Sequence, residues 1–599
     1  MDGKKLEYKG EEALKEIEKL TNNGAEIQES LLKQILTQNR ETEYLNKYVK
    51  GDEKTDIAEF KRCVPVSSYE EIFSYIQRIA NGEDSSIITG QPITEMLISS
   101  GTSGGEPKMM PTIAEDLDRR TFLYNLITPI ISKYIPGLDE GKGMFLNFVK
   151  SEMSTTPCGL PVRTVLTSYY KSKHFKCRTR DPWNDFTSPD QTVLCNDVNQ
   201  SMHCQLLAGL IQRHKVLRLG AVFASAFLRA ISFLERNWQS LCDDIRRGEL
   251  SSFVTDPGCC SAMSSVLSSP NPDLADEISE ICSHKCWKGI LLKIWPKAKY
   301  IEAVITGSMA QYIPALEHYS GGKLPLVASM YASSECYFGV NLKPLSDPAD
   351  VAFTLLPNMC YFEFLPLGQN GTLLMDFEEG HVPNDKLVDL KNVKLGCFYE
   401  ILVTTFAGLY RYRVGDVLQV VRFYNKAPQF RFICRRNVVI SIDSDKTSEE
   451  DLHKSVTEAK KLLKPLDALL VDYTSYPDTS SVPGHYILYW EILHCGSKGS
   501  GEPLDTNVLQ ECCSVVEEQL DYVYRHLRND KSIGPLEIRV VEPGTFEALM
   551  DLSISNGASV NQYKTPRCIK SSKAFNLLNS RVNASFFSPR VPSWGSKLC

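Results

Sequence analysis

Ser99-Ser100-Gly101-Thr102-Ser103-Gly104-Gly105-Glu106-Pro107-Lys108 is the stretch around which the rest of the chain is organised. Its glycines, hydroxyl residues and single lysine supply a pliant backbone, many hydrogen-bond donors and one cation, which is what a phosphate group requires. The spacing differs from G-x-x-x-x-G-K-[ST], because Met109 follows Lys108 where that loop needs Ser or Thr for a magnesium ion. A plain surface turn of small residues would share this composition, but the flanks argue for a site. Glu95-Met96-Leu97-Ile98 reads as a short strand entering the loop and 115–131 as the helix after it, so the glycines fall at a strand end, where ligands commonly sit.

Three further polar clusters interrupt apolar sequence. Tyr331-Ala332-Ser333-Ser334-Glu335 closes a strand-like run from Leu326; its ring can stack on a base and its carboxylate can hold a divalent ion, although an ordinary surface loop has the same letters. Leu409-Tyr410-Arg411-Tyr412-Arg413-Val414-Gly415-Asp416 sets a carboxylate, the natural acceptor for ribose hydroxyls, after a glycine that lets backbone come close. As a bare hairpin, the same segment would carry Arg411 and Arg413 as solvated strand residues. Asn561-Gln562-Tyr563-Lys564-Thr565-Pro566-Arg567 offers a cation for charge that develops on carboxylate and phosphate, whereas a lone lysine is usually solvated surface.

Composition narrows the class. The 599 residues exceed one ordinary core and imply two or three domains with room for a pocket. Hydrophobic residues make up 43% and charged residues 23%, the balance of a globular protein, and a net charge of -7 argues against nucleic acid or an anionic membrane as partner. Nineteen scattered cysteines, an odd count, fit free thiols in a reducing compartment, so a cytoplasmic location is expected. No leading apolar segment and no uncharged run of about 18 residues suggests a membrane span. Neither H-E-x-x-H nor G-x-G-x-x-G occurs, and Cys282-x3-Cys286 lacks a second pair for zinc.

Residues 8–49 predict an amphipathic cover, and Ser67 or Ser68 with Glu70-Glu71 predicts a capped helix to about Ala80. Helix is expected at 115–134 and almost throughout 200–244, including an apolar buried helix over 219–234. Strands are expected at 143–149, 161–170, 300–306 and 326–331, which is α/β alternation. From 352 to 421 strands dominate, and a charge shift marks a boundary near 425–445. The tail predicts a smaller α+β domain, with one long helix over 506–528.

Taken in order, the four clusters resemble those of the GH3 family of plant acyl acid amido synthetases, within the adenylate-forming, firefly luciferase-like enzymes. The resemblance covers essentially the whole chain and rests on Ser99 to Lys108, Tyr331 to Glu335, Tyr412-Arg-Val-Gly-Asp416 and Gln562 to Arg567. It implies a large N-terminal domain (1–430) with β-barrel and α/β subdomains, binding nucleotide and acyl acid, and a smaller mobile C-terminal domain (431–599) that swivels between half-reactions. ATP, Mg2+ and a carboxylic acid would give an acyl-adenylate and pyrophosphate; a free amino acid would then attack the acyl carbon and release AMP. By the same likeness Ser99, Ser100, Thr102 and Ser103 grip phosphate, Tyr331 stacks on adenine, and Ser334 joins the nucleotide site. Glu335 holds magnesium, Asp416 takes the ribose and Lys564 assists adenylation.

The acyl pocket implied by the resemblance comprises Arg119 or Arg120, Tyr124, Val165, Leu166, Met330, Ala332 and Tyr337. Arg163-x-Val165-Leu166-Thr-Ser-Tyr-Tyr looks like the auxin-conjugating subgroup, implying indole-3-acetic acid with aspartate or glutamate as donor; another aromatic acid or jasmonate is the alternative. A synthetase that stops at the adenylate or passes it to a thiol, and a catalytically silent acid-binding protein, are the competing readings. Gly104 and Pro107 depart from the family pattern, where alanine and a basic residue are common, and put donor preference in question.

Overall fold

The computed structural model describes residues 10–51, 55–103, 106–149, 154–368, 384–435, 439–466, 468–494, 506–555 and 565–593. The chain forms two compact units, Met1–Ser99 with Met109–Arg436, and Asn437–Cys599 with Ser100–Lys108.

In the first unit the N-terminal cover is two helices, Glu11–Asn22 and Gly24–Asn39, separated at Asn23. Ala13, Ile17 and Leu20 bury against Leu123, Ile127 and Ile130 of the helix Ala114–Ser132, so one apolar stripe closes over another. Ser68 and Glu71 form the expected capping box of Tyr69–Ala80, which ends at Asn81.

Four strand assignments differ from the sequence reading. Strand β1 (Ile93–Ser103) runs on through most of the opening stretch, and β2 (Glu106–Ile113) returns before the helix begins. The order is therefore strand, strand, helix; Pro107 is tolerated because β2 is an edge strand of the sheet β2-β1-β5-β4, completed by β4 (Ser154–Thr155) and β5 (Pro161–Thr164). Beyond β5 the expected strand becomes the helix Val165–Lys171, because the Thr164 hydroxyl accepts from Thr167 N and starts a turn there. Val216–Phe223, expected inside a continuous helical stretch, is β6, and helix begins only at Ala224. A fully buried parallel strand has no polar face, so its apolar run is indistinguishable from buried helix by periodicity.

The all-parallel sheet β3-β6-β7-β8 is built from β3 (Lys142–Leu146), β6, β7 (Tyr300–Val304) and β8 (Leu326–Val327). The run expected as one strand over 326–331 is divided between β8 and β9 (Met330–Ala332), which belongs to a different sheet. The second polar cluster thus sits where the chain crosses from a parallel to an antiparallel sheet. That larger sheet has the order β13-β12-β14-β15-β16-β11-β10-β9, with β10 (Tyr337–Val340), β11 (Phe353–Leu355), β12 (Tyr361–Leu367), β13 (Val388–Asp389), β14 (Phe398–Thr404), β15 (Tyr412–Tyr424) and β16 (Ala427–Arg435).

The second unit is an α+β layer in which the sheet β17-β18-β19-β20 combines Ala468–Asp478, His485–His494, Glu537–Val541 and Val582–Phe587. Leu488, Trp490 and Ile538 pack with Leu509, Val516 and Tyr524 of the covering helices. The helix expected over 506–528 is two, Thr506–Gln519 and Tyr522–Asn529, because the Asp521 side chain accepts from Tyr524 N and starts a second helix. Among the described residues no helix is long and apolar enough to cross a membrane.

Candidate active site

The second and third clusters meet in the first unit. The β9–β10 hairpin closes through Ser333 N to Cys336 O at 2.9 Å, and at its tip the Ser334 hydroxyl donates to Glu335 Oε2 at 2.9 Å. Tyr331 is buried with its ring stacked on Phe338, centroids 4.5 Å apart, and its hydroxyl donates to Asp416 Oδ2 at 2.6 Å. Burial and the Asp416 carboxylate push the Tyr331 hydroxyl well above the ordinary tyrosine range, so it stays a donor.

Asp416 is brought there by a bulge in β15. Against β14, Arg413 pairs with Leu402 and Val417 with Glu400, so the intervening residues swing out of register. Gly415 has φ +85° and Arg411 φ +46°, two left-handed residues that bend the strand around Tyr412 to Asp416. The arginines that a bare hairpin would leave in solvent are anchors. Arg411 is 1% exposed, pairs with both oxygens of Glu363 at 2.9 Å, and donates to the carbonyls of Lys61 and Val64 at 2.8 Å. Arg413 makes the same forked pair with Glu400, at 2.9 and 2.8 Å.

The other oxygen of Asp416, Oδ1, is buried, accepts no hydrogen bond among the described residues, and stands 3.5 Å from Arg435 Nη1. Burial pulls the Arg435 guanidinium down, but Asp416 and Glu335 outweigh it and hold its pKa above the usual value. The arrangement is an acceptor with capacity to spare, flanked by a fixed cation.

The acyl candidates divide. Tyr124, Val165, Met330, Ala332 and Tyr337 belong to one apolar cluster, and Leu166 packs with Tyr124 in the adjoining one. The Tyr124 and Tyr337 hydroxyls are 2.8 Å apart. Arg119 is held by Asp116 at 2.7 Å and Glu115 at 3.3 Å, and lies over the Phe406 ring. Arg120 instead lies over Tyr337, with Nη2 on Thr112 Oγ1 at 3.2 Å and a buried Nη1 that has no hydrogen-bond partner among the described residues. Of two adjacent arginines, one is spent locally and the other keeps a donor.

Beside this cluster lies a cavity of about 460 Å³ between the helix Ala114–Ser132 and the face of the parallel sheet. Tyr124 and Met330 line it; Arg119, Arg120, Val165, Leu166, Ala332 and Tyr337 do not. Its aromatic wall includes Tyr169 and Tyr170, which close the Arg163-x-Val165-Leu166 motif; sequence reasoning missed Phe145 and Phe186, and also Glu302, which read only as part of a buried strand.

In the second unit, Thr565 donates to Asp472 Oδ2 at 2.6 Å, and Arg567 donates to Asp472 Oδ1 and Tyr473 O at 2.7 Å each. This fastens the segment after Lys564 to β17. Lys564 itself, and the side chains of Ser99, Ser100, Thr102 and Ser103, lie outside the described residues.

Residues 13–326 match the GH3 family N-terminal domain, 353–435 its central domain and 450–573 its C-terminal domain. The chain belongs to the GH3 family. Among its relatives, GH3.9 of Arabidopsis thaliana is 67% identical, covering 99% of this chain and 100% of that protein. The indole-3-acetic acid-amido synthetase GH3.17 of Arabidopsis thaliana is 57% identical over 98% of this chain and 97% of its own length. The solved structure of the GH3.15 acyl acid amido synthetase is 49% identical, covers 97% of this chain and 98% of its own, and superposes with a TM-score of 0.67. The boundary between GH3 central and C-terminal domains falls in the same region as the division between the two compact units at Arg436.

Proposed function

We propose that the protein is an ATP-dependent acyl acid amido synthetase that joins an amino acid to the carboxylate of indole-3-acetic acid through an acyl-adenylate. The Tyr331–Asp416 pair carries this reading. It fixes a buried carboxylate oxygen with unused acceptor capacity beside the hairpin that bears Ser334 and Glu335. Relatives named as indole-3-acetic acid-amido synthetases, at 57% and 54% identity over nearly the whole chain, support the substrate assignment.

A carboxylate at neutral pH is a poor electrophile, and adenylation gives its carbonyl carbon a leaving group. In this reading Asp416 accepts from the ribose hydroxyls, and Tyr331 holds Asp416 in place. The spare Nη1 donor of Arg120, whose guanidinium lies over Tyr337, is assigned to the acid's carboxylate. Ser99, Ser100, Thr102 and Ser103 grip the phosphates, and Lys564 stabilises charge that develops on the transferring groups. The Glu335 carboxylate suits Mg2+, a hard ion that takes oxygen ligands and would neutralise phosphate charge. A second amine-dependent step needs the same carbonyl exposed to a different partner, which is the task assigned to a swivelling C-terminal domain. A cytoplasmic location, where the free cysteines among the described residues would remain reduced, completes the proposal.

The test is a pyrophosphate-release screen of carboxylic acids, including jasmonate and other aromatic acids, crossed with free amino acids and with coenzyme A. Acid-dependent pyrophosphate release followed by AMP release that needs aspartate or glutamate is the expected result. AMP release that needs a thiol, or acid binding with no pyrophosphate, would overturn it in favour of a thioester-forming ligase or a silent binding protein.

A further inference from the structure

Three cysteines that are scattered in the sequence converge on one point in the first unit. Cys195 follows the short helix Asp190–Val193, Cys204 lies within the helix Val198–Ile211, and Cys259 stands in the first turn of the helix Pro257–Val266. All three are buried. The Cys195 and Cys259 sulfurs and a carboxylate oxygen of Asp256 lie within 4.8 Å of one another, and the Cys259 thiol is hydrogen bonded with both Cys204 and Cys195. Two thiols and a carboxylate therefore surround one point, with a third thiol at its edge.

Polar side chains of the helix Val198–Ile211 hold the other two elements onto it. Gln200 Oε1 accepts from Thr255 N and Asp256 N, both at 2.9 Å, and the Ser201 hydroxyl donates to Thr192 O at 2.6 Å. Cys204 is one turn further along the same helix, so all three sulfurs ride on segments that one helix ties together. Asp256 Oδ1 accepts from Cys259 N at 2.8 Å, which caps the helix Pro257–Val266 and leaves the second carboxylate oxygen to a ligand. Asp256 is half-buried where the cysteines are enclosed, so solvent reaches the cluster from its side.

We propose that Cys195, Cys259 and Asp256, joined by Cys204, form a structural zinc site that staples the helix Pro257–Val266 and the Cys195 segment to the helix Val198–Ile211. Sulfur donors select soft and borderline ions over Mg2+, so the site is distinct in chemistry from the magnesium of the adenylation reaction. Zn–S bonds of about 2.3 Å set two sulfurs about 3.8 Å apart on a tetrahedral ion, so the cluster closes onto zinc by a contraction of about 1 Å or less. Burial at Cys195, and the Cys204 contact together with burial at Cys259, keep these thiols protonated while no ion is bound. A bound ion takes them as thiolates, a form that the positive end of the helix favours at Cys259.

The experiment titrates the reduced full-length chain with Zn2+ and with Cd2+, using a chromophoric chelator as competitor and the ultraviolet thiolate-to-cadmium charge-transfer band as the report of sulfur ligation. The wild type should bind either ion at this site, show the thiolate band and melt at a higher temperature with Zn2+ present. Cys195→Ala and Cys259→Ala should bind at least about 100-fold more weakly, since losing a ligand exceeds the roughly 10- to 100-fold typical of an outer-shell partner, and their melting temperatures should no longer respond to Zn2+. Asp256→Asn, which keeps the helix cap and guards against loss of folding, should weaken binding while retaining the thiolate band. Cys177→Ala, at an exposed cysteine, should bind as the wild type does. Absence of the thiolate band in the wild type, or undiminished binding in folded Cys195→Ala and Cys259→Ala, would overturn the site.

Discussion

The Tyr331 hydroxyl lies 2.6 Å from Asp416 Oδ2, and this one bond ties strand β9 to the bulge in β15. Two clusters 85 residues apart in sequence are thereby joined by a buried hydrogen bond.

Tyr331→Phe removes that donor and leaves both oxygens of Asp416 short of partners. We expect a stability loss of about 1–3 kcal/mol, as for a buried charged acceptor left unsatisfied. The KM for ATP should rise more than kcat falls, because the change acts through the position of Asp416. Thermal denaturation and ATP titration of pyrophosphate release check both, and an unchanged KM would show that Asp416 is positioned without Tyr331.

The neighbouring arginines should separate cleanly. Arg120→Met removes the spare Nη1 donor and should raise the KM for the acid about tenfold, the effect of one charge-assisted hydrogen bond. Arg119→Met disrupts the pairs with Asp116 and Glu115 and should lower thermal stability with little change in acid KM. Steady-state kinetics beside melting curves distinguishes them, and the reverse pattern would exchange their roles.

Arg411 and Glu363 form a pair that is almost fully enclosed. Arg411→Met strands a buried carboxylate and should cost about 3–5 kcal/mol, whereas Arg411→Met with Glu363→Met should recover most of that loss. Urea denaturation of the single and double variants measures the difference.

Asp521 gives a pH signature in the second unit. Burial raises its pKa from 3.8 to about 7, with Asp445 and Asp451 adding to the shift and the Tyr524 backbone N–H opposing it. A carboxyl raised in the folded state favours the fold when protonated. The unit therefore loses stability as pH climbs from about 4 to about 7, then levels off. Asp521→Asn keeps the helix cap and removes the charge, so it should raise the denaturation midpoint at pH 8, with the gain shrinking toward pH 5. A pH-independent gain would assign the effect to something other than ionisation.

Local chemistry was readable wherever a residue acts on its own neighbours. Ser68 and Glu71 announced their helix, and alternating strands from Ala352 to Val421 announced the antiparallel sheet. The clusters at Tyr331 and Asp416 were legible as polar interruptions, but their contact depends on a bulge that no spacing rule encodes. Val216–Phe223 was misread because a strand buried on both faces erases the alternation that identifies strands. Arg411 and Arg413 looked solvated because Glu363 and Glu400 are distant in sequence. Glu302 gave no signal: one acid within an apolar run says nothing of the cavity it lines.

Gly415 shows how narrow a structural requirement can be. A Cβ added there would meet no atom within 4 Å, yet the backbone stands at φ +85°. The position thus has room for a methyl group but rejects the chirality of L-alanine. An L-alanine would fit by size and still strain the bend, so the demand made by Asp416 on its neighbour is one of backbone handedness, not of size.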